Sequence, residues 1–259
     1  MATGVLLICL GRATRVVSFL TDWDKEYRVR IRLGVSTDTF DADGRVVSTS
    51  ESVPSDLETV RRAVECFEGE IEQLPPMYSA VKVGGRKLYE LARRGEVARR
   101  EPRKVRVHRI EIGGMRGADL DLRIVCSKGT YVRALADDLG RSLGCGGHVA
   151  VLRRTRVGDV RIEDCETIPS VEELVDKGEL ASRLLPLDLA LMNLPGLKLE
   201  PHALARFCRG AAVGVSGATF EDSPSQVRVS DADGQVYGIG EWNREGSLRA
   251  TTVLRAAEP

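Results

Sequence analysis

The sequence lacks the clusters of ligands that mark metal centres and disulfide frameworks. Its six cysteines contain no C-x-x-C pair and no other metal-ligand spacing, and there are only three histidines. This usage is typical of packed, reduced thiols in a cytoplasmic protein. We therefore expect a cytoplasmic protein without a metal site.

The sequence also lacks net charge. Its 38 lysines and arginines balance 38 aspartates and glutamates, so global charge gives no indication of a nucleic-acid partner. Any such surface must come from local clustering of basic residues.

No hydrophobic run is long enough to cross a bilayer. The apolar run Gly4 to Leu10 is the strongest near the start, and it has neither the basic leader nor the cleavage site of a signal peptide. We interpret it as a buried strand and expect no membrane association. No repeat of 20 to 50 residues is present.

An acidic stretch, Thr37 to Gly44, lacks the spacing of a calcium loop. An EF-hand needs an acidic or amide side chain where the chain has Thr39 and a glutamate where it has Ser50. Asp43-Gly44 instead predicts a hairpin turn, as does Asp233-Gly234.

The most informative stretch runs from Leu120 to Gly144. Apolar residues alternate from Leu120 to Cys126 as in a half-buried strand, and leucines then recur every fourth residue up to the stop at Gly144. The change of period predicts a helix beginning near Thr130, its N-cap. Tyr131 and Arg133 would lie in the first turn, where free N–H groups favour an anion. Such a corner is also ordinary in any mixed domain.

Other strands and helices are predicted by the same rules. Tyr27 to Leu33 alternates apolar residues with three arginines, which indicates an antiparallel strand with one solvated face. Ser55-Asp-Leu-Glu58 and Ser170-Val-Glu-Glu173 predict capped helix starts. A proline-bounded connector, Leu184 to Pro195, separates a C-terminal segment with a short helix near Ala203 to Arg209 and period-2 stretches typical of a small β-rich module.

Positive charge is concentrated between Lys82 and Arg109. This segment has eleven lysines or arginines against three glutamates, a local net charge of +8. A solvated face is the usual role of a charge run, but this one, with Tyr78 and Tyr89 available for stacking, equally indicates binding of RNA or DNA. A second cluster follows the predicted helix. The predicted RNA-binding residues are Lys82, Arg86, Lys87, Arg93, Arg94, Arg153 and Arg154.

Several ordered motifs resemble one family. They are Ala2 to Arg15, Asp24-Lys-Glu-Tyr27, Gly34-Val-Ser-Thr-Asp-Thr-Phe-Asp41, Pro75-Pro-Met-Tyr-Ser-Ala80 and Cys126-Ser-Lys-Gly-Thr-Tyr-Val-Arg133. Together they resemble the bacterial tRNA pseudouridine-55 synthases of the TruB type. The likeness extends from Ala2 to about Arg156 and is weaker beyond.

The resemblance implies an α+β fold with a mixed, mainly antiparallel sheet. It implies a catalytic domain over residues 1–185, an RNA-gripping insertion at about 75–105 and a PUA-like RNA-binding module over 195–259. The implied reaction converts the T-loop uridine of tRNA into pseudouridine, without metal or organic cofactor. The implied partner is the T-arm of tRNA, bound by a monomer.

The resemblance also assigns roles to four residues. Tyr27 would lie against the uracil and assist late proton removal, and Tyr131 and Leu152 would line the uridine pocket. Arg133 would pair with the nucleophilic aspartate, because a guanidinium orients a carboxylate and keeps it ionised. From the residues alone, we favour core packing for Tyr27 and Leu152 and a structural ion pair for Arg133.

One departure from the family pattern concerns the nucleophile. The family motif runs G-T-L-D-P-x-A-T-G, and the chain matches it only from Met1-Ala-Thr-Gly4, so the aspartate would lie two positions before Met1. We therefore expect the 259-residue chain to be a shortened synthase that is inactive or nearly so. The alternatives are a non-catalytic RNA-binding or tRNA-folding protein and, less well matched, a guide-RNA-dependent member of the same superfamily.

Overall fold

The computed structural model describes residues 2–215, 225–243 and 246–256. The chain folds into two compact units, one formed by Met1–Leu6 with Asp22–Cys165 and the other by Leu7–Thr21 with Glu166–Pro259. Each unit has a sheet and a hydrophobic core of its own. Among the described residues, no helix is long and apolar enough to cross a membrane.

The first unit is built on a seven-stranded sheet. Its strands are β1 (Thr3–Gly4), β2 (Lys25–Leu33), β5 (Gly69–Gln73), β8 (Arg103–Arg116), β9 (Asp119–Cys126), β10 (Gly147–Val157) and β11 (Val160–Arg161). The strand order is β1-β10-β2-β9-β8-β5, with β11 paired to β10, and every pairing is antiparallel except that of β1 with β10. The predicted mixed, mainly antiparallel sheet is therefore confirmed.

Alternation along β2 and β9 places the core on one face of this sheet. Val29, Ile31 and Leu33 are almost fully buried and lie beside Leu120, Leu122 and Ile124 of the neighbouring strand. Burying one such aliphatic side chain stabilises the fold by about 1.5–3 kcal/mol. The helices of the first unit, α2 (Leu57–Glu65), α3 (Leu88–Arg93) and α4 (Val132–Ser142), include two, α2 and α4, whose apolar stripes join this core.

The opposite face of the sheet carries charge. Arg30 and Arg32 of β2 form ion pairs with Asp121 and Asp119 across the strand boundary, at 2.8 and 2.6 Å. Exposed pairs of this kind contribute about 0–1 kcal/mol each. The prediction that one face of the strand from Tyr27 to Leu33 is solvated is confirmed.

Two small hairpins project from the first unit. The hairpin of β3 (Val35–Thr37) and β4 (Val46–Thr49) encloses the turn predicted at Asp43-Gly44. The second hairpin, β6 (Lys82–Val83) with β7 (Arg86–Lys87), leads into α3 and lies within the predicted insertion.

The second unit contains a five-stranded sheet. Its strands are β12 (Gly196–Lys198), β13 (Val213–Gly214), β14 (Gln226–Ser230), β15 (Val236–Trp242) and β16 (Ser247–Val253), in the order β12-β14-β15-β16-β13. Leu204 and Phe207 of α6 (Pro201–Cys208) pack with Val227, Val229 and Leu248 in its core. The predicted C-terminal β-rich module, with its short helix and the hairpin at Asp233-Gly234, is confirmed. The remaining helices are α1 (Val17–Asp22) and α5 (Ile168–Asp176).

The prediction of a buried strand over Gly4 to Leu10 is wrong. Strand β1 consists of Thr3 and Gly4 alone, and Leu6, Ile8 and Leu10 are more than half exposed. An apolar run is buried as a strand only where another strand pairs with it, and among the described residues the pairing with β10 involves only Thr3 and Gly4. Of residues 5–10, only Val5 is buried.

Three predicted helix caps are displaced. Helix α2 is capped by Asp56, whose carboxylate accepts from the backbone N–H groups of Glu58 and Thr59, rather than by Ser55. Helix α5 is capped by Thr167 instead of Ser170, and the N-cap of α4 is Tyr131 instead of Thr130. In each case the residue that caps the helix has the extended backbone that an N-cap requires.

Candidate active site

The corner between β9 and α4 forms as the change of period predicts. Strand β9 ends at Cys126, a turn follows, and α4 begins at Val132. Val132, Leu135 and Leu139 anchor the helix in the core, while Tyr131 and Arg133 are partly exposed at its first turn. The two predicted site residues of this corner are thus carried by a helix whose position is fixed by packing.

Arg133 is held by three oxygens from other parts of the chain. Its Nη1 donates to Asp41 Oδ2 at 2.7 Å and to the carbonyl oxygen of Thr39 at 3.3 Å, and its Nη2 donates to the carbonyl oxygen of Tyr78 at 2.8 Å. Arginine has five N–H donors, so two remain for a further acceptor. Arg133 therefore has an anionic partner and can still bind a second one.

Asp41 is a residue that sequence reasoning missed. It ends the family-like stretch Gly34 to Asp41, which was the only signal that could have identified it. Its loop is fixed on β10, because Val149 donates to Phe40 O and Ala42 donates to Val149 O, each at 3.0 Å. Phe40 has a φ of 64°, a strained conformation for a residue with a Cβ. Such strain is retained where the surrounding structure requires a particular side-chain position.

Tyr27 and Leu152 lie on one face of two adjacent strands. Tyr27 of β2 is paired in register with Arg154 of β10, and Leu152 is two residues away on the same face. Burial raises the pKa of the Tyr27 hydroxyl, and the adjacent Arg154 guanidinium opposes part of this shift. The hydroxyl is therefore neutral near pH 7 and has a cation beside it.

Arg154 also contacts the segment before the site. Its Nε donates to the carbonyl oxygen of Val5 at 2.7 Å, and Val5 N donates to the carbonyl oxygen of Arg154 at 2.9 Å. A Cβ at Gly4 would lie 2.0 Å from Arg154 O, so only glycine permits this approach. Residues 3–5 therefore lie beside β10, and β10 separates them from Tyr27 on β2.

Cys126 does not supply a nucleophile at this corner. It is buried beside Lys25, the first residue of β2, and burial raises the pKa of its thiol to about 11. A neutral thiol is a poor nucleophile. Within the part of the chain that the structure describes, no group of histidine, cysteine and acidic residues could hold a metal ion.

The predicted RNA-binding residues fall into two sets. Lys82, Arg86, Arg93 and Arg94 are exposed on the β6–β7 hairpin and at the end of α3, and Lys87 and Arg93 lie 5.5 Å from the centre of the Tyr89 ring. Arg153 projects from the face of β10 opposite to Leu152 and Arg154. The structure thus gathers the insertion residues on one segment, residues 82–94, which we call the arm. Arg153 lies on the face of the sheet opposite to Tyr27.

Comparison with known proteins decides the family. A model of the TruB pseudouridylate synthase N-terminal domain matches residues 1–132, one of the tRNA pseudouridylate synthase B C-terminal domain matches residues 133–192, and one of the C-terminal part of pseudouridine synthase II TruB matches residues 195–254. The chain belongs to the TruB family of pseudouridine synthases.

The similar proteins agree with this assignment. The tRNA pseudouridine synthase B of Saccharophagus degradans is 42% identical over 96% of this chain and 82% of its own length, and that of Dechloromonas aromatica is 42% identical over 100% of this chain and 84% of its own. The chain of a solved Cbf5-Nop10-Gar1 complex shares the fold, with a TM-score of 0.75 at 24% identity, over 99% of this chain and 74% of that one. The predicted TruB family and pseudouridine synthase fold are confirmed.

Proposed function

We propose that the protein is a tRNA pseudouridine synthase that isomerises the T-loop uridine of tRNA. The observation that carries the proposal is the Arg133 site, in which a guanidinium bound to Asp41 and Tyr78 has two N–H donors left on the same sheet-helix corner as Tyr131. The 42% identical relatives are named tRNA pseudouridine synthase B. The T-arm as binding site and the monomeric state belong to the same proposal.

Pseudouridine formation breaks the N1–C1′ bond and joins C1′ to C5 of the same base. The base must leave the stack, so the site needs a pocket with an aromatic or apolar wall. Tyr131 and Leu152 are the residues that we assign to this wall, and Tyr27 lies against the uracil ring. After rejoining, the proton on C5 must be removed, and we assign Tyr27 to assist this step. Its oxygen would take the C5 proton while its own hydroxyl proton passes to water, and the Arg154 cation beside it would stabilise the negative charge that develops on the oxygen.

The catalytic carboxylate is the part of the family pattern that precedes Ala2 to Gly4. A carboxylate there would be one strand away from Tyr27, since β1 lies beside β10 and β10 beside β2. Arg133 would orient that carboxylate and keep it ionised through the two free N–H donors. Asp41 would act on it only indirectly, by fixing the guanidinium.

The basic arm explains how the RNA is held during this chemistry. Its lysines and arginines are mostly exposed, as cations that meet a polyanion must be, and the Tyr89 ring offers a stacking surface already bordered by two cations. We assign Lys82, Arg86, Lys87, Arg93 and Arg94 to the phosphates of the T-arm. The domain prediction, with a catalytic part over 1–185 and an RNA-binding module over 195–259, is part of this proposal.

The experiment compares two proteins on one tRNA transcript. One is the 259-residue chain and the other carries Gly-Thr-Leu-Asp-Pro directly before Met1. We expect pseudouridine at the T-loop uridine with the extended protein, and the 259-residue chain measures how much of this activity residues 1–259 supply alone. Both should bind the transcript with an affinity that falls steeply with salt.

Matched charge variants test the arm. Changing Lys82 and Arg86 to Ala should weaken tRNA binding and reduce the slope of log affinity against log salt by about 1–2, since each lost phosphate contact removes about 0.7–0.9. Changing Arg61 and Arg62 of α2 to Ala removes the same charge from another surface and should leave that slope unchanged.

Salt-dependent binding of tRNA without pseudouridine formation, in both the 259-residue chain and the extended protein, would favour the non-catalytic RNA-binding function.

A further inference from the structure

Gln73 is a buried polar side chain that the chemistry above does not use. It is the last residue of β5, where it is paired with Arg103, and only 2% of it is exposed. Burying a side-chain amide is unfavourable unless both its donor and its acceptor are satisfied. The groups that form hydrogen bonds with the Gln73 amide therefore indicate what this residue does in the fold.

Both partners of the Gln73 amide belong to the backbone of Tyr131. Tyr131 N donates to Gln73 Oε1 at 2.8 Å, and Gln73 Nε2 donates to the carbonyl oxygen of Tyr131 at 3.1 Å. The amide thus pairs with one residue as a neighbouring β-strand would, across 58 positions of sequence.

Tyr131 needs such a partner because of its place in α4. It is the N-cap of the helix, with φ −99° and ψ 103°, and its own side chain makes no capping hydrogen bond. Its carbonyl oxygen accepts the first helical hydrogen bond, from Leu135 N at 3.1 Å, but its N–H lies outside the helix. Gln73 satisfies that N–H and fixes the backbone dihedral angles from which the tyrosine ring projects.

The same stretch of chain continues to the other site residue. Five residues after Gln73, the carbonyl oxygen of Tyr78 accepts from Arg133, and the next residue, Ser79, accepts from Tyr89 N at 3.0 Å. The segment from Gln73 to Ser79, which leads into the arm, is therefore hydrogen-bonded to Tyr131, to Arg133 and to α3. Gln73 makes the first of these three connections.

We propose that Gln73 is a positioning residue for the uridine pocket, which it shapes by holding the Tyr131 backbone so that the Tyr131 ring faces the flipped base. This proposal rests on the proposed function, since it needs a uridine pocket at Tyr131. Gln73 itself contacts no reacting atom. Its effect should therefore be on recognition of the base rather than on binding of the RNA backbone.

The test uses a glutamate that can imitate glutamine only when it is protonated. In Gln73→Glu, a neutral carboxyl group can accept from Tyr131 N and donate to Tyr131 O, whereas a carboxylate has no donor and repels that carbonyl oxygen. Gln73→Leu can make neither bond at any pH. Gln226→Glu, at an exposed glutamine in β14, is the matched control.

The readout is the ratio of affinities for two T-arm hairpins, one with the target uridine and one with an abasic site in its place. We expect this ratio to fall about tenfold in Gln73→Leu at pH 5.5 and 8. In Gln73→Glu it should fall at pH 8 and recover at pH 5.5, while Gln226→Glu follows the unchanged protein. Equal losses of affinity for both hairpins, or an unchanged ratio in folded Gln73→Leu, would overturn the proposal.

A second measurement separates this proposal from the proposed function. If the unchanged protein binds both hairpins equally, the uridine pocket is refuted, and Gln73 is then judged by hydrogen exchange at the Tyr131 amide. After correction for intrinsic rates, exchange should be about tenfold faster in Gln73→Leu, and in Gln73→Glu only at pH 8. Unchanged exchange in both variants would refute the positioning role.

Discussion

The two ends of α4 each carry an arginine–aspartate pair, and the pairs differ in almost every physical respect. At the start, Arg133 meets Asp41 across 92 positions, and about a quarter of each side chain is exposed. At the end, Arg141 pairs with Asp137 one turn away; Asp137 is 4% exposed while Arg141 is largely in solvent. The same two chemical groups therefore experience different environments on one helix.

The difference between the two pairs shows that an ion pair can either fix the position of a side chain or reduce the stability of the fold. Arg133 is surrounded by acceptors, and its cost of burial is offset by the hydrogen bonds that it donates to three oxygens from two separate segments. Asp137 has a buried carboxylate whose desolvation outweighs the attraction of Arg141, and burial raises its pKa to about 6. The first pair organises a site, whereas the second lowers the stability of the fold at neutral pH.

The largest expected effect comes from breaking the first pair. Arg133→Ala should reduce pseudouridine formation by about a thousandfold or more in the extended protein, because the carboxylate loses its orienting charge. Arg133→Lys should be almost as inactive, since an ammonium cannot reproduce the planar arrangement of donors. Single-turnover rates measure both. A lysine variant with near-normal rate would show that charge alone suffices.

Asp41→Asn should have the next largest effect. The amide oxygen can still accept from Arg133, but the guanidinium loses its fixed counter-charge and shifts towards other acceptors. We expect the single-turnover rate to fall about a hundredfold, with tRNA affinity changed little. A fall in affinity that matches the fall in rate would mean that Asp41 holds RNA rather than Arg133.

Removing the charge of the second pair should improve a property of the protein, its stability, rather than impair its activity. The folded state holds a proton on Asp137 up to about pH 6, whereas the unfolded chain releases it near pH 4, so the free energy of unfolding falls as pH rises through this window. Asp137→Asn removes this loss of stability and should stabilise the protein by about 3 kcal/mol at pH 8, with little change at pH 4. Urea unfolding at both pH values measures it. Destabilisation at pH 8 would contradict this account of the pair.

The smallest effect is expected from the exposed partner of the second pair. Arg141→Gln should cost at most about 0.5 kcal/mol, because 64% of the arginine side chain is in solvent. It should also raise the pKa of Asp137 further, since the nearby positive charge lowers it in the folded protein. Carboxyl NMR titration follows that change, and a lowered pKa would be the contrary result.

The comparison also shows what could be predicted from sequence. The change of period near Thr130 predicted the strand, the helix and the positions of Tyr131 and Arg133 at the start of that helix, because each depends on neighbours a few residues away. The cap was displaced by one residue, from Thr130 to Tyr131, since the partner of the Tyr131 N–H comes from Gln73, 58 positions earlier.

Long-range partners explain the rest of what was missed. Asp41 pairs with Arg133 only because its loop is fastened to β10, and no local pattern encodes that contact. Arg154 belonged to a basic cluster in the sequence, whereas in the sheet it lies beside Tyr27 and Val5. The roles of these residues depend on strand order, which alternation alone does not determine.

The most direct test maps pseudouridine at single-nucleotide resolution in one tRNA transcript, with the extended protein and its Arg133→Lys and Asp137→Asn variants in parallel. We expect pseudouridine at the T-loop uridine and at no other position for the unchanged protein and for Asp137→Asn, and none for Arg133→Lys. Product at other uridines, or equal product from all three proteins, would contradict the assignment of the catalytic site to the start of α4.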